Sequence, residues 1–171
     1  MRKKPIVSII MGSDSDLEVM KESSLVLEGF GIAHEVKILS AHRSPKLTSA
    51  FAEKAAGKGI KVIIAGAGGA AHLAGVVASH TTIPVIGVPM DTKALKGIDS
   101  LLSTVQMPSG IPVATVAIGK TGAKNAAILA AEILSLGDQA LKKKLIAHKK
   151  SLVKIVKEKN KLLCQKPRCL K

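Results

Sequence analysis

Tryptophan and tyrosine are absent from the 171 residues, and phenylalanine occurs only twice. A chain with so little aromatic surface has almost nothing on which to stack bases, which argues against single-strand nucleic-acid or RNA recognition. Apolar residues still make up 47% of the chain, so the core must be aliphatic, built from Val, Ile, Leu and Ala. Cysteine is scarce as well. Cys164 and Cys169 both fall in the last eight residues with no histidine at ligand spacing, and they read as incidental thiols rather than a metal site or a disulfide framework. No apolar run reaches the roughly 20 residues of a membrane span. The opening Met1-Arg2-Lys3-Lys4-Pro5 leads into a strand-like run rather than a signal-peptide core. A soluble, cytoplasmic protein without a membrane partner is expected.

Acidic residues are in short supply, and the formal charge is +14. Its distribution decides what this means. From Gly137 to Lys171 eleven Lys and one Arg face only Asp138 and Glu158, a net of +10, while the first 136 residues carry the remaining +4. The basicity belongs mostly to the tail, where a solvated helix face is the ordinary reading and polyanion binding the alternative.

What is present is a regular alternation. Strand-like apolar runs at Pro5–Met11, Ile32–Leu39, Lys61–Ala65, Ile83–Val88 and Val113–Ile118 are separated by helical patterns. The helices are expected from Leu17 to the Gly29/Gly31 stop, from Pro45 to Gly57, up to about His80, from Gly97 to Gln106, and from Ala123 to Leu136. Ser15 is the expected cap of the first, with Glu18 completing a capping box, and the segment from Pro89 to Lys96 is expected to be a mobile loop. This order predicts an α/β fold, a three-layer α/β/α sandwich around a five-stranded parallel sheet with flavodoxin-like strand order. Residues 1–136 form that domain. Residues 137–171 form a basic C-terminal helix, with Leu141, Leu145, His148, Leu152, Ile155, Val156, Leu162 and Leu163 near three-four spacing, and a frayed end from Gln165 to Lys171. Its apolar stripe packs either on its own domain or on a neighbouring subunit.

Three loops would leave the carboxyl edge of such a sheet, where α/β proteins bind ligands. Gly12-Ser13-Asp14-Ser15-Asp16 offers backbone N–H groups and hydroxyls to an anion. Its two aspartates suit one phosphate with a hydroxyl-bearing sugar better than a polyphosphate, although an ordinary helix cap is the plainer reading. Ser40-Ala41-His42-Arg43-Ser44-Pro45 puts an imidazole beside a guanidinium, a proton carrier beside an anion clamp; by itself it could be a solvated loop. Gly66-Ala67-Gly68-Gly69-Ala70-Ala71-His72 is a degenerate dinucleotide fingerprint in the wrong place, and reads better as a glycine loop that lets a flat ligand approach the backbone. His72 could equally be a capping or packing residue. Gly119-Lys120-Thr121 lacks the earlier glycine of a phosphate loop, and His34 and His80 have no partners at metal spacing.

Taken together, Gly12-Ser13-x-Ser15-Asp16-x-x-x-Met20, Ser40-Ala41-His42-Arg43, Ala65 through Leu73, Asp99-Ser100-Leu101-Leu102-Ser103 with Val105-Gln106-Met107-Pro108, and Pro112 through Ala117 with Asn125-Ala126-Ala127 resemble the PurE family of purine biosynthesis. The resemblance covers about residues 5–136 in order. It implies isomerisation of N5-carboxyaminoimidazole ribonucleotide to 4-carboxy-5-aminoimidazole ribonucleotide, with no cofactor and no metal. It implies that Ser13, Asp16 and Arg43 hold the ribose phosphate of this small ribonucleotide substrate. Ser15, Ser40, Ala67, Gly68, His72 and Leu73 would line the imidazole and carboxylate end, with His42 as the proton-transfer residue. It further implies a homo-octamer with sites shared between subunits. Ala74 stands where the family usually has Pro, and Val76 where Met is common; neither change removes a donor, an acceptor or a charge. Direct carboxylation of aminoimidazole ribonucleotide with CO2 is the alternative within the family, although Arg43 and Pro45 look like the mutase branch. A non-catalytic nucleotide- or polyanion-binding protein is the alternative outside it.

Overall fold

The computed structural model describes residues 4–164, and the chain divides into two compact units, 1–134 and 135–171. The end expected to fray, Gln165 to Lys171 with Cys169, lies outside the described residues. The first unit carries five parallel strands, β1 (Val7–Met11), β2 (His34–Ile38), β3 (Val62–Ala67), β4 (Val85–Pro89) and β5 (Ala114–Thr115), in the order β2-β1-β3-β4-β5. Five helices belong to it, namely α1 (Leu17–Phe30), α2 (Pro45–Ala55), α3 (Leu73–Ser79), α4 (Ile98–Val105) and α5 (Gly119–Ser135). The expected flavodoxin-like order is present, with its reversal between β1 and β3.

Two glycines show how the layers close. Side chains alternate across a sheet, and Ala65 pairs with Gly87 while Gly66 pairs with Val88. A Cβ on Gly66 would meet Met20 Sδ of α1 at 2.5 Å, and one on Gly87 would meet Thr104 of α4 at 2.3 Å and Ala74 of α3 at 3.4 Å. α1 therefore covers one face, and α3 with α4 the other. On the second face Phe51, Ala52 and Ala55 of α2 join Leu73 and Val77 of α3 over Ile10, Ile63 and Val85. On the first face α5 packs along α1, where the buried Ser23 hydroxyl donates to the Ala123 carbonyl at 2.7 Å. Lys120 and Lys124 also lie 3.3 Å from Glu18 and Glu22. With β1 and β4 buried along their whole length, the near-continuous apolar runs are those of a sheet covered on both sides.

Several boundaries differ from those expected. The fifth strand shrinks from Val113–Ile118 to Ala114–Thr115. It is an edge strand pairing only with Ile86 and Gly87, and after one further bond from Val116 N–H to the Gly87 carbonyl it leaves the ladder. α5 begins at Gly119 rather than Ala123, so Gly119-Lys120-Thr121 forms its first turn. The expected Ser15 cap is absent. A 3₁₀ turn, Asp14–Asp16, precedes α1, and it is the Ser13 hydroxyl that accepts from Ser15 N–H at 3.3 Å; Glu18, freed from any capping box, faces Lys120. Pro45 does occupy the first turn of α2, and Gly31 closes α1 in the left-handed region at φ 73°.

The second unit contains one long helix, α6 (Gln139–Cys164). Asp138 opens it, its carboxylate accepting from Leu141 N–H at 3.0 Å, as an N-cap should. Among the described residues no helix is long and apolar enough to cross a membrane.

One position tests the packing of α5 on its own loop. A Cβ on Gly122 would lie 1.6 Å from the Ala117 carbonyl oxygen, backbone that has no rotamer by which to yield. Gly122→Ala should therefore destabilise the protein by about 3 kcal/mol or more, read as a lower denaturant midpoint; an unchanged midpoint would show that the loop relaxes freely.

Candidate active site

At the carboxyl edge, the reversal between β1 and β3 leaves a cleft of about 480 Å³. All ten candidate residues line it: Ser13, Ser15 and Asp16 after β1, Ser40, His42 and Arg43 after β2, and Ala67, Gly68, His72 and Leu73 after β3. Gly12, Ala41 and Ala70, which the sequence marks only as members of the loop motifs, line it as well; having no functional side chain, they are placed there by the path of the backbone.

Each loop is held in shape by small hydroxyls. After β2, Ser40 and Ser44 tie each other down. Ser44 Oγ accepts from Ser40 N–H at 3.1 Å and donates to the Ser40 carbonyl at 3.0 Å, while Ser40 Oγ accepts from Arg43 N–H at 3.1 Å. This tight turn throws His42 and Arg43 outward, and both are exposed. Arg43 Nη2 then donates to the Gly12 carbonyl at 3.1 Å, which bridges the first two loops and brings the guanidinium over the Ser13 turn.

β3 continues further than expected. Gly66 and Ala67 stay in the ladder opposite Val88 and Pro89, because Gly66 has no side chain to collide with Met20 and Met90 beneath it. The loop then turns at Gly69, φ +65°, and Ala71 N–H and His72 N–H donate back to the Gly69 and Ala70 carbonyls, each at 2.8 Å. His72 thus arrives at the start of α3 with its Nδ1 2.9 Å from His42 Nε2, the rings edge-to-face at 86° with centroids 5.0 Å apart. Two imidazoles thirty residues apart in sequence share one hydrogen bond in the lining of the cleft. One nitrogen of this pair must donate and the other accept, so the bond couples the tautomer of one ring to that of the other.

Asp16 is the group whose electrostatics are most altered. Burial holds its carboxyl above the ordinary carboxylate range and the charge of Asp14 adds to that, while hydrogen bonds from Ser15 and from the Ser13 backbone oppose it. The segment after β4, expected as a mobile loop, is strapped at its base. Thr92 Oγ1 donates to Asp99 Oδ1 at 2.8 Å and accepts from Gly97 N–H at 3.1 Å.

Other histidines are engaged elsewhere. His34 Nε2 meets the Ser24 hydroxyl at 2.6 Å, and His80 lies 3.2 Å from Glu53 beside a separate cleft near the start of β4. Among the described residues no group of three or more His, Cys, Asp or Glu could hold a metal ion.

A parallel sheet of this order, with basic, hydroxyl and imidazole groups converging at its reversal, defines a flavodoxin-like α/β protein with a cleft suited to a small anionic ligand. A family model described as AIR carboxylase matches residues 6–154. The N5-carboxyaminoimidazole ribonucleotide mutase of Pyrococcus horikoshii is 59% identical over 161 residues, 94% of this chain and 90% of the relative. The protein of the same name from Bacillus subtilis is 58% identical over 142 residues, 83% of this chain and 88% of the relative. Among solved structures, Treponema denticola PurE superposes with a TM-score of 0.83 at 32% identity, covering 92% of this chain and 98% of that one. The chain belongs to the AIR carboxylase family.

The environment of Asp16 makes a pH-dependent prediction. Burial favours the neutral acid in the folded state, so ionisation costs stability, and that cost grows as pH rises from the ordinary carboxylate range through the raised value. Asn keeps the size and polarity of Asp but cannot ionise, so Asp16→Asn should melt at a higher temperature than the parent at pH 7. The difference should close as pH falls below about 4; a gap independent of pH would contradict the assignment.

Proposed function

We propose that this chain is an N5-carboxyaminoimidazole ribonucleotide mutase, an isomerase that converts its substrate to 4-carboxy-5-aminoimidazole ribonucleotide in purine biosynthesis. The observation that carries this reading is that Arg43 bridges to Gly12 in the same cleft in which His42 meets His72 at 2.9 Å. Anion clamp and proton carrier stand together, and the curated relatives bear the mutase name over most of the chain.

In this reading Ser13, Asp16 and Arg43 hold the ribose phosphate, with Arg43 as the charged clamp and Asp16 accepting from ribose hydroxyls. Ser15, Ser40, Ala67, Gly68, His72 and Leu73 surround the imidazole and the migrating carboxylate. The N–C bond of the carbamate breaks as CO2 departs, the electron pair stays on nitrogen, and nitrogen takes a proton from His42. C4 then attacks the CO2 held beside it, forming the C–C bond, and gives its proton back to His42. Atoms and charge balance with no other reactant, and confinement of CO2 replaces a bimolecular encounter.

Such confinement needs cover, and in the single chain His42, Arg43 and His72 are exposed. Assembly of several copies, a homo-octamer in the family's pattern, would supply it. The exposed apolar row Ile98, Leu102 and Val105 on α4 supports burial against another copy. The helix α6 (Gln139–Cys164) is part of that same proposal, as an element that packs on a neighbouring subunit. A phosphorylated substrate that does not cross membranes fits a cytoplasmic location.

The family's description, AIR carboxylase, favours one second reading, carboxylation of aminoimidazole ribonucleotide with CO2 itself. Separate assays of the two substrates distinguish them. Purified protein should consume N5-carboxyaminoimidazole ribonucleotide without ATP, and failure to do so overturns the proposal. His42→Asn should still bind the nucleotide but lose about 10²–10⁴-fold in kcat. Arg43→Ala should raise KM about tenfold to a hundredfold while kcat changes far less; near-parent turnover in the first variant, or an unchanged KM in the second, would remove the assigned role.

A further inference from the structure

Next to the glycine loop, α4 presents two serines one turn apart, neither of them in the lining of the cleft. Ser100 is fully buried, and its Oγ accepts from Gly69 N–H at 2.9 Å. The Ser103 hydroxyl donates to the Asp99 carbonyl at 2.7 Å and reaches the Gly69 carbonyl at 3.3 Å. Both backbone polar groups of one left-handed glycine are thus engaged by hydroxyls of one helix. The helix is itself anchored: Thr104 Oγ1 donates to the Ser100 carbonyl at 2.7 Å, and Thr92 straps Asp99 and Gly97 at its start.

We infer that Ser100 and Ser103 are positioning residues for the His42–His72 pair, acting through Gly69; the inference rests on the isomerase reading above. Gly68 and Ala70, the neighbours of the clamped glycine, both line the cleft, and Ala71 N–H bonds the same Gly69 carbonyl at 2.8 Å. His72 follows three residues later and holds His42 Nε2 at 2.9 Å. Rotation of the Gly69 peptide would therefore carry His72 away from its partner. A hydroxyl buried in an aliphatic core is costly unless it is bonded. Removing it from residue 100 strands a peptide N–H at the one point where the loop turns with positive φ. Neither serine is among the residues that line the cleft with Ser13 and Arg43, and neither bonds to the Ser13 or Arg43 loops in the contacts above, so nucleotide binding and proton transfer separate in their response.

In the full-length protein, Ser100→Ala should lower kcat about tenfold to a hundredfold, as a displacement of about 1 Å can, with KM within about twofold of the parent. Ser103→Ala should lose several-fold in kcat and Ser103→Thr, which keeps the hydroxyl, should restore it. In a His72→Asn background, Ser100→Ala should add less than about twofold, because residues acting through one another are not additive. The imidazole ¹⁵N resonances of His42 and His72 should move in Ser100→Ala, or in Ser103→Ala should the first variant not fold. Unmoved resonances overturn the inference whatever the activity. An active parent whose serine variants keep its kcat, raise KM instead, or add their losses to that of His72→Asn also overturns it and leaves the isomerase reading standing. A parent inactive as an isomerase defeats that reading alone, and the resonances then decide the positioning role.

Discussion

The site depends on a reversal in strand order. β1 hands the chain through α1 to β2 on one side, while β3 hands it through α3 to β4 on the other. The connections therefore diverge from the rim between β1 and β3, and a crevice remains that no helix fills. Parallel strands place every carboxyl end on that rim, so the loops after β1, β2 and β3 meet there without any special device. Burial of β1, β3 and β4 fixes the register of the central strands, and β2 pairs alongside β1.

Within the crevice the chain uses small residues to do what larger ones could not. Gly66 leaves room for Met20 and Met90 below the rim, and Gly69 supplies the left-handed turn. Serine hydroxyls tie the first two loops to their own backbone, at Ser13 and at Ser40 with Ser44, while Ser100 and Ser103 of α4 tie the third at Gly69. The functional side chains, Arg43, His42 and His72, thus project from turns whose shape is already determined, which lowers the entropy cost of holding them in place. The near absence of aromatic residues fits this economy: glycine, alanine and serine supply most of the lining of a cleft of about 480 Å³.

Much of this was legible in advance, and the failures share a cause. The alternation of apolar runs and helical patterns marks the fold class, and Pro45, Gly31 and the glycine loop mark boundaries by backbone chemistry that acts locally. The chemistry of His42 and Arg43 can be read from their side chains. Ser13 and Ser15 are equally good caps by type, and only the 3₁₀ turn decides between them. The apolar run of β5 continues after pairing stops at the edge of the sheet, so periodicity overstates the strand's length. Ser100 and Ser103 stand in a motif that could be quoted but not interpreted, since their partner, Gly69, lies more than thirty residues away.

By itself the sequence determined the aliphatic core, the alternating elements, the basic tail and the side chains available for anion binding and proton transfer, because composition and periodicity act over a few residues. Tertiary structure alone decided that His42 meets His72, that Arg43 reaches Gly12, and that α4 clamps Gly69 from behind. These are contacts between groups thirty or more residues apart, and no local propensity encodes a distance that only the closing of the sheet creates.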